Sequence, residues 1–185
     1  MSIRMALVRL RTILLVTALG VPMCAGVTIA ETKNWGSVGK WNIRVTDGNC
    51  VAVTEYTNTK DRSRDTIFGL VIVSRYINSG IEPFAVFVQN DMTNALVPER
   101  EYRSKFLFGH KEPFQGIGVA QRAGTSGKVH ISVRVQPAFL DAMRKNSSVE
   151  VAIDDKYLGE FPLKNGGDVI EAVATCQHQQ PKAQN

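Results

Sequence analysis

The sequence predicts a mainly β fold, either a β-sandwich or a partly open β-barrel, with a short connecting helix and a C-terminal helix. Three observations carry that prediction. Val129, Ile131, Val133 and Val135 alternate with His130, Ser132 and Arg134, the period of a strand with one buried face. Two tight-turn signals, Asp47-Gly48-Asn49 and Asp154-Asp155-Lys156, each lie between β-rich runs. Apolar residues recur at helical spacing in only two places, near residues 138–145 and 169–176. The 185 residues suffice for one domain with a modest core, and 44% hydrophobic with 21% charged residues excludes a wholly disordered chain.

The N-terminus reads as an export signal. Arg4, Arg9 and Arg11 precede a ten-residue apolar run, 12–21, which Pro22 ends. Small residues follow up to Ala30, so a positive start, a short apolar middle and a small-residue exit are all present. The run is too short to span a bilayer comfortably. Cleavage after Ala30 is expected, with a cut after Gly26 as second choice. Lipid attachment at Cys24 is disfavoured, because stiff, bulky Pro22-Met23 stands where a small residue is needed. The chain therefore divides into a secretory leader (1–30), a single β-rich domain (31–176) and a flexible polar tail (177–185). Losing the leader's three arginines leaves 19 basic against 17 acidic residues, net +2 rather than +5. That balance and export both argue against nucleic-acid binding. No membrane span is expected after the leader is removed, and the protein is placed in the periplasm or outside the cell.

Trp41, Ile43 and Val45 alternate with polar neighbours and pair through the Asp47-Gly48 turn with a returning strand, 50–56. Residues 58–65 are polar and read as a loop. The run 66–76 is apolar on both faces and suits a central strand. Asn78-Ser79-Gly80 breaks it, and 84–88 is a further strand with Gln89-Asn90-Asp91 at its polar end. Residues 94–127 are the least regular. A strand at 103–108 with Phe106 and Phe108 on one face is followed by breaks at Gly109, Pro113, Gly116 and Gly118. After the strand at 129–135, Pro137 opens a helix over 138–145, as proline favours a helix start. Strands at 149–153 and 157–163 form a hairpin. Gly166-Gly167 ends it, Asp168 is a candidate helix cap, and Val169, Ile170, Val173 and Cys176 form the apolar stripe of the last helix.

Two cysteines, Cys50 and Cys176, remain beyond the leader. An even count in an oxidising compartment favours one disulfide between them over two buried thiols.

Catalytic patterns are few. His110, His130 and His178 are scattered, without metal-ligand spacing, and no cofactor is expected. His130, on the polar face of its strand, reads as solvated. Gly124-Thr125-Ser126-Gly127 lacks nucleophile-elbow spacing, and Gly116-Ile117-Gly118 lacks a dinucleotide-binding context. Glu99 and Glu101 share a face but have basic neighbours as partners. The segment 100–114 interleaves cations with aromatics. Arg100, Tyr102, Arg103, Lys105 and His110 are the candidate binding residues, suited to a protein or to an anionic or glycan envelope component.

Three segments resemble the invasion-associated locus B family of bacterial envelope proteins. They are Gly39-Lys40-Trp41 running through Asp47-Gly48-Asn49-Cys50, the strand 149–154, and the closing segment from Phe161-Pro162-Leu163-Lys164 to Ala172 and Cys176. The resemblance covers both ends of the chain and not residues 57–128. It implies an exported β-rich protein tied to host colonisation or envelope function, with no catalytic residues to carry over. Members usually carry further central cysteines, and this chain has none between Cys50 and Cys176. The expected function is a non-enzymatic exported binding protein. The alternative is a small envelope hydrolase or enzyme inhibitor built on the irregular 94–127 stretch, which would require His110 to meet Glu99, Glu101 or Ser126 in a cleft.

Overall fold

The computed structural model describes residues 32–56, 66–73, 77, 82–123 and 126–181. The leader, the 58–65 loop and the Asn78-Ser79-Gly80 break lie outside these residues. The remainder forms ten strands: β1 (Lys33–Val38), β2 (Trp41–Thr46), β3 (Asn49–Tyr56), β4 (Thr66–Ile72), β5 (Phe84–Gln89), β6 (Glu101–Leu107), β7 (Phe114–Arg122), β8 (Val129–Arg134), β9 (Ser148–Ile153) and β10 (Lys156–Pro162). Helix α1 (Pro137–Lys145) lies between β8 and β9, and α2 (Gly166–His178) follows β10. All these strands belong to one antiparallel sheet, in the order β1-β2-β3-β4-β5-β8-β7-β6-β9-β10.

The hairpins form where turn chemistry demands them. Asp47 and Gly48 both take positive φ, as do Asp154 and Asp155, matching the turns that fit the right-handed twist of paired strands. Period-two alternation then turns Trp41, Ile43, Phe68, Leu70, Val86, Val88, Ile131, Val133 and Phe161 onto one buried face. The sheet curls around this face without closing into a barrel. Phe68 of β4 and Phe161 of β10, far apart in strand order, bring their rings to 5.4 Å. Side chains bridge the open seam: Trp41 Nε1 donates to the Lys164 carbonyl at 3.1 Å, and Asn90 Nδ2 donates to the Leu158 carbonyl at 3.2 Å.

Three elements differ from the sequence reading. The glycines at 116 and 118 do not break a strand but lie within β7. A Cβ on Gly118 would stand 2.7–2.8 Å from Ile131 and Val133 of the neighbouring strand, so glycine makes room there for core side chains. The 94–127 stretch is thus largely the β6–β7 hairpin rather than an irregular loop. Strand β1 carries no sequence signal, because its ladder register shifts between Asn34 and Gly36 and erases the alternation.

Both helices pack inside the curl. Asn165, in the left-handed region, and not Asp168, occupies the N-cap of α2; Asp168 lies in its first turn. Gly166 seats α2 on α1, since a Cβ there would lie 2.6 Å from the Met143 carbonyl oxygen. Cys176 bonds Cys50 of β3 with Cα atoms 6.0 Å apart, as expected. The polar segment from 177 begins inside the helix. Gln177 is buried, accepting from the Cys50 backbone N–H at 2.8 Å and donating to the Gly48 carbonyl at 2.9 Å. Trp35 Nε1 donates to Gln179 Oε1 at 3.0 Å. Residues 182–185 lie outside the described residues.

Candidate binding surface

Strand β6 sorts the candidate residues by face. Tyr102, Ser104 and Phe106 point inward, while Glu101, Arg103 and Lys105 point outward. Phe106 and Phe108 are core residues, so only the cations and Tyr102 remain of the interleaved pattern. Tyr102 is itself 9% exposed, and its hydroxyl accepts the Val97 N–H at 2.9 Å. The Arg100 guanidinium lies 5.6 Å from its ring centroid. His110 sits in the exposed turn beyond the other end of β6. At ~3.3 Å per residue the strand separates Arg100 from His110 by roughly 20 Å. Glu99 and Glu101 lie at the Arg100 end. Ser126, in the β7–β8 connection, belongs to that end too, because β7 runs antiparallel to β6. The triad of His110 with a glutamate or Ser126 is therefore not assembled.

Arg103 and Lys105 stay together at mid-strand, and both have acidic partners. The β9–β10 turn is latched to β6: the Arg103 N–H donates to Asp154 Oδ1 at 3.0 Å, and the Asp154 N–H donates to the Arg103 carbonyl at 2.9 Å. The Arg103 guanidinium stands 3.8 Å from Asp154 and 3.9 Å from Asp155, and the Lys105 ammonium pairs with Asp155. The hydrogen bond and charge of Lys105, with the charge of Arg103 added, hold the Asp155 carboxyl below its ordinary value.

The register adds residues that the linear sequence keeps apart. Ile117 of β7 lies opposite Arg103 and is 56% exposed. Tyr157 of β10 lies opposite Ala152 and is 45% exposed. Glu150 of β9 stands directly across from Glu160 of β10, both exposed and without an ion pair among the described residues. Burial, then the charges of Glu150 and Glu160, raise the Tyr157 phenol above its usual value. On the outward face of β6, β9 and the β9–β10 turn, Arg103 and Lys105 thus stand among Glu101, Glu150, Asp154, Asp155 and Glu160, so this part of the surface carries more carboxylates than cations. Among the described residues, no three acids, histidines or cysteines gather as a metal site, and no helix is long and apolar enough to cross a membrane.

His130 departs from its solvated reading. It is half-buried, with its ring 5.6 Å from Phe87, whose own ring lies over Gly69. Burial lowers its pKa below 6.5. The unfolded chain then takes up the proton first as pH falls through the ordinary histidine range. Stability contributed by neutral His130 is present above pH ~6.5 and lost below it. The melting temperature is expected to drop between pH 7.5 and pH 5.5, and His130→Gln should flatten that drop. An identical pH slope in the variant would exclude His130 as its cause.

The fold defines a class of molecule: an open, ten-stranded antiparallel sheet curled around two helices, one of them tied by a disulfide. A solved structure of this architecture is invasion associated protein B from Bartonella henselae. It superposes with a TM-score of 0.54 at 9% identity, covering 81% of this chain and 100% of that one. No protein-family model and no curated protein sequence matches the chain. The resemblance seen at the two ends of the sequence therefore holds as a likeness of fold.

Proposed function

We propose that the protein is an exported, non-enzymatic binding protein, periplasmic or secreted, that engages an envelope or host-surface partner through the outer face of β6, β7, β9 and β10. The observation that carries this reading is the exposure of Ile117 and Tyr157 beside Arg103 and Lys105 on a sheet face that no described element covers. Exposed aromatic, aliphatic and arginine side chains in one patch are the composition of a protein-binding surface. The leader pattern and the buried disulfide support export. The invasion-associated name of the structural neighbour agrees with a role at the cell surface.

The test is capture of a partner from envelope extract by the immobilised protein. Ile117→Ser with Tyr157→Ser should reduce capture, and Arg103→Ala with Lys105→Ala, which alters the charge of the same face, should change it. The melting temperature of the Arg103 and Lys105 double variant should barely move, because exposed ion pairs contribute only ~0–1 kcal/mol. Full capture by both double variants would place the site elsewhere. Turnover of an envelope substrate by the purified protein would defeat the non-enzymatic reading.

A further inference from the structure

The outer face of β9 and β10 breaks a rule of sheet design. Like charges directly opposite each other on neighbouring strands destabilise the pair, and Glu150 and Glu160 are so placed. Among the described residues no lysine or arginine pairs with either one, although Lys105 and Arg103 lie on the adjacent strand. Those two cations are held by Asp154 and Asp155 at the hairpin turn. Charge on this face therefore resolves into a neutralised corner beside the turn and an unneutralised glutamate pair further along. Tyr157 stands in the neighbouring row with nearly half its surface in solvent. Its raised pKa records, after burial, the negative field of the two glutamates. Two glutamates fall far short of the six to eight oxygens that a calcium ion takes, so a metal does not account for them.

We propose that this sheet face takes a basic segment of a partner protein, with lysine or arginine heads at Glu150 and Glu160 and their aliphatic stems along Tyr157. The inference rests on reading the face as a binding surface and names what the partner must bring. A cation between the glutamates removes their mutual repulsion. The exposed Tyr157 ring offers both an apolar surface for the stem and a negative π-face for the charge. An anionic polymer, by contrast, would meet an excess of carboxylates.

The experiment uses fluorescein-labelled deca-lysine and deca-glutamate, titrated with the purified protein at low salt and followed by fluorescence anisotropy. Deca-lysine is expected to bind and to weaken as salt rises. Glu150→Gln with Glu160→Gln should weaken it by about fivefold, the size expected for two exposed charge contacts. Tyr157→Ala should weaken it further. A control, Glu55→Gln with Glu171→Gln, makes the same charge change at exposed positions on β3 and α2 and should leave affinity within about twofold. Exchanging both sheet glutamates relieves their repulsion, so an unaltered or raised melting temperature confirms the fold. Equal weakening by the control pair, no binding of deca-lysine, or tighter binding of deca-glutamate would each overturn the proposal. If envelope capture still depends on Ile117 and Tyr157 in that event, the face binds a partner of other chemistry. If capture is independent of them too, the reading of the face itself fails.

Discussion

Replacing Cys50 and Cys176 together with alanine is expected to lower the melting temperature by about 10 °C. The bond joins residues 126 apart in sequence, and chain entropy assigns a loop of that size about 5 kcal/mol, with measured losses of ~2–5 kcal/mol. A domain of this size converts each kcal/mol into ~2–4 °C. The bond also has a particular mechanical role. It fastens α2, the last element, to β3, one of the first, at a point where both sulfurs are shielded from solvent. Without it, α2 is still held by Val169, Ile170, Val173 and the two Gln177 hydrogen bonds, so the double variant should fold and melt cooperatively. Reductant acting on the native protein must wait for the structure to open, because neither cysteine is exposed. Thiol labelling after incubation with dithiothreitol should therefore be slow in native buffer and fast in denaturant. Rapid labelling of the native protein, or an unchanged melting temperature in the double variant, would show that the bond does not carry this load.

The parts of the fold legible in sequence are those encoded locally. The Asp47-Gly48 and Asp154-Asp155 turns, the alternation of β8 and the apolar stripe of α2 each signal themselves within a dozen residues. Strand β7 is hidden because its signal is relational. Gly116 and Gly118 look like breaks until Ile131 and Val133 are known to occupy the space beside them. Gln177 is hidden for a similar reason: its composition belongs to a polar tail, yet its amide satisfies backbone groups 127 and 129 residues away.

The binding surface shows the same division. Arg103 and Lys105 stand out along the chain because cations cluster there, and they do share an outward face. Their acidic partners come from residues 154–155, and Glu150, Tyr157 and Glu160 join them only because β9 pairs with β6 instead of with its sequence neighbour β8. A charge count along the sequence cannot anticipate a crossover, so the basic reading of 100–114 becomes an acidic face once the register is known. Arg100 and His110 fall away from the cluster because seven strand residues separate the two ends of β6.

Phe139→Ala is expected to cost about 3–5 kcal/mol, the range for truncating a fully buried phenylalanine. Phe139 is 1% exposed and is the side chain by which α1 holds the β6–β7 hairpin. The rings of Phe106 and Phe108 stand 5.1 Å from it and that of Phe114 stands 5.5 Å away, all three nearly perpendicular to it. Edge-to-face pairs add ~0.5–1.5 kcal/mol each beyond burial, so the loss should reach the upper part of the range. A helix of nine residues has little stability of its own, and α1 depends on this cluster to persist. The damage should therefore be regional. Hydrogen exchange in Phe139→Ala should accelerate at β6, β7 and α1 well before it does in the disulfide-tied β2–β3 hairpin. Binding through the outer face of β6 should weaken with it, although Phe139 points the other way, because that face is only as ordered as the hairpin beneath it. Phe139→Leu, which keeps most of the volume, should recover more than half of the loss in a urea titration. A cost below about 1 kcal/mol for the alanine variant, or uniform acceleration of exchange across the sheet, would show that α1 does not brace the hairpin.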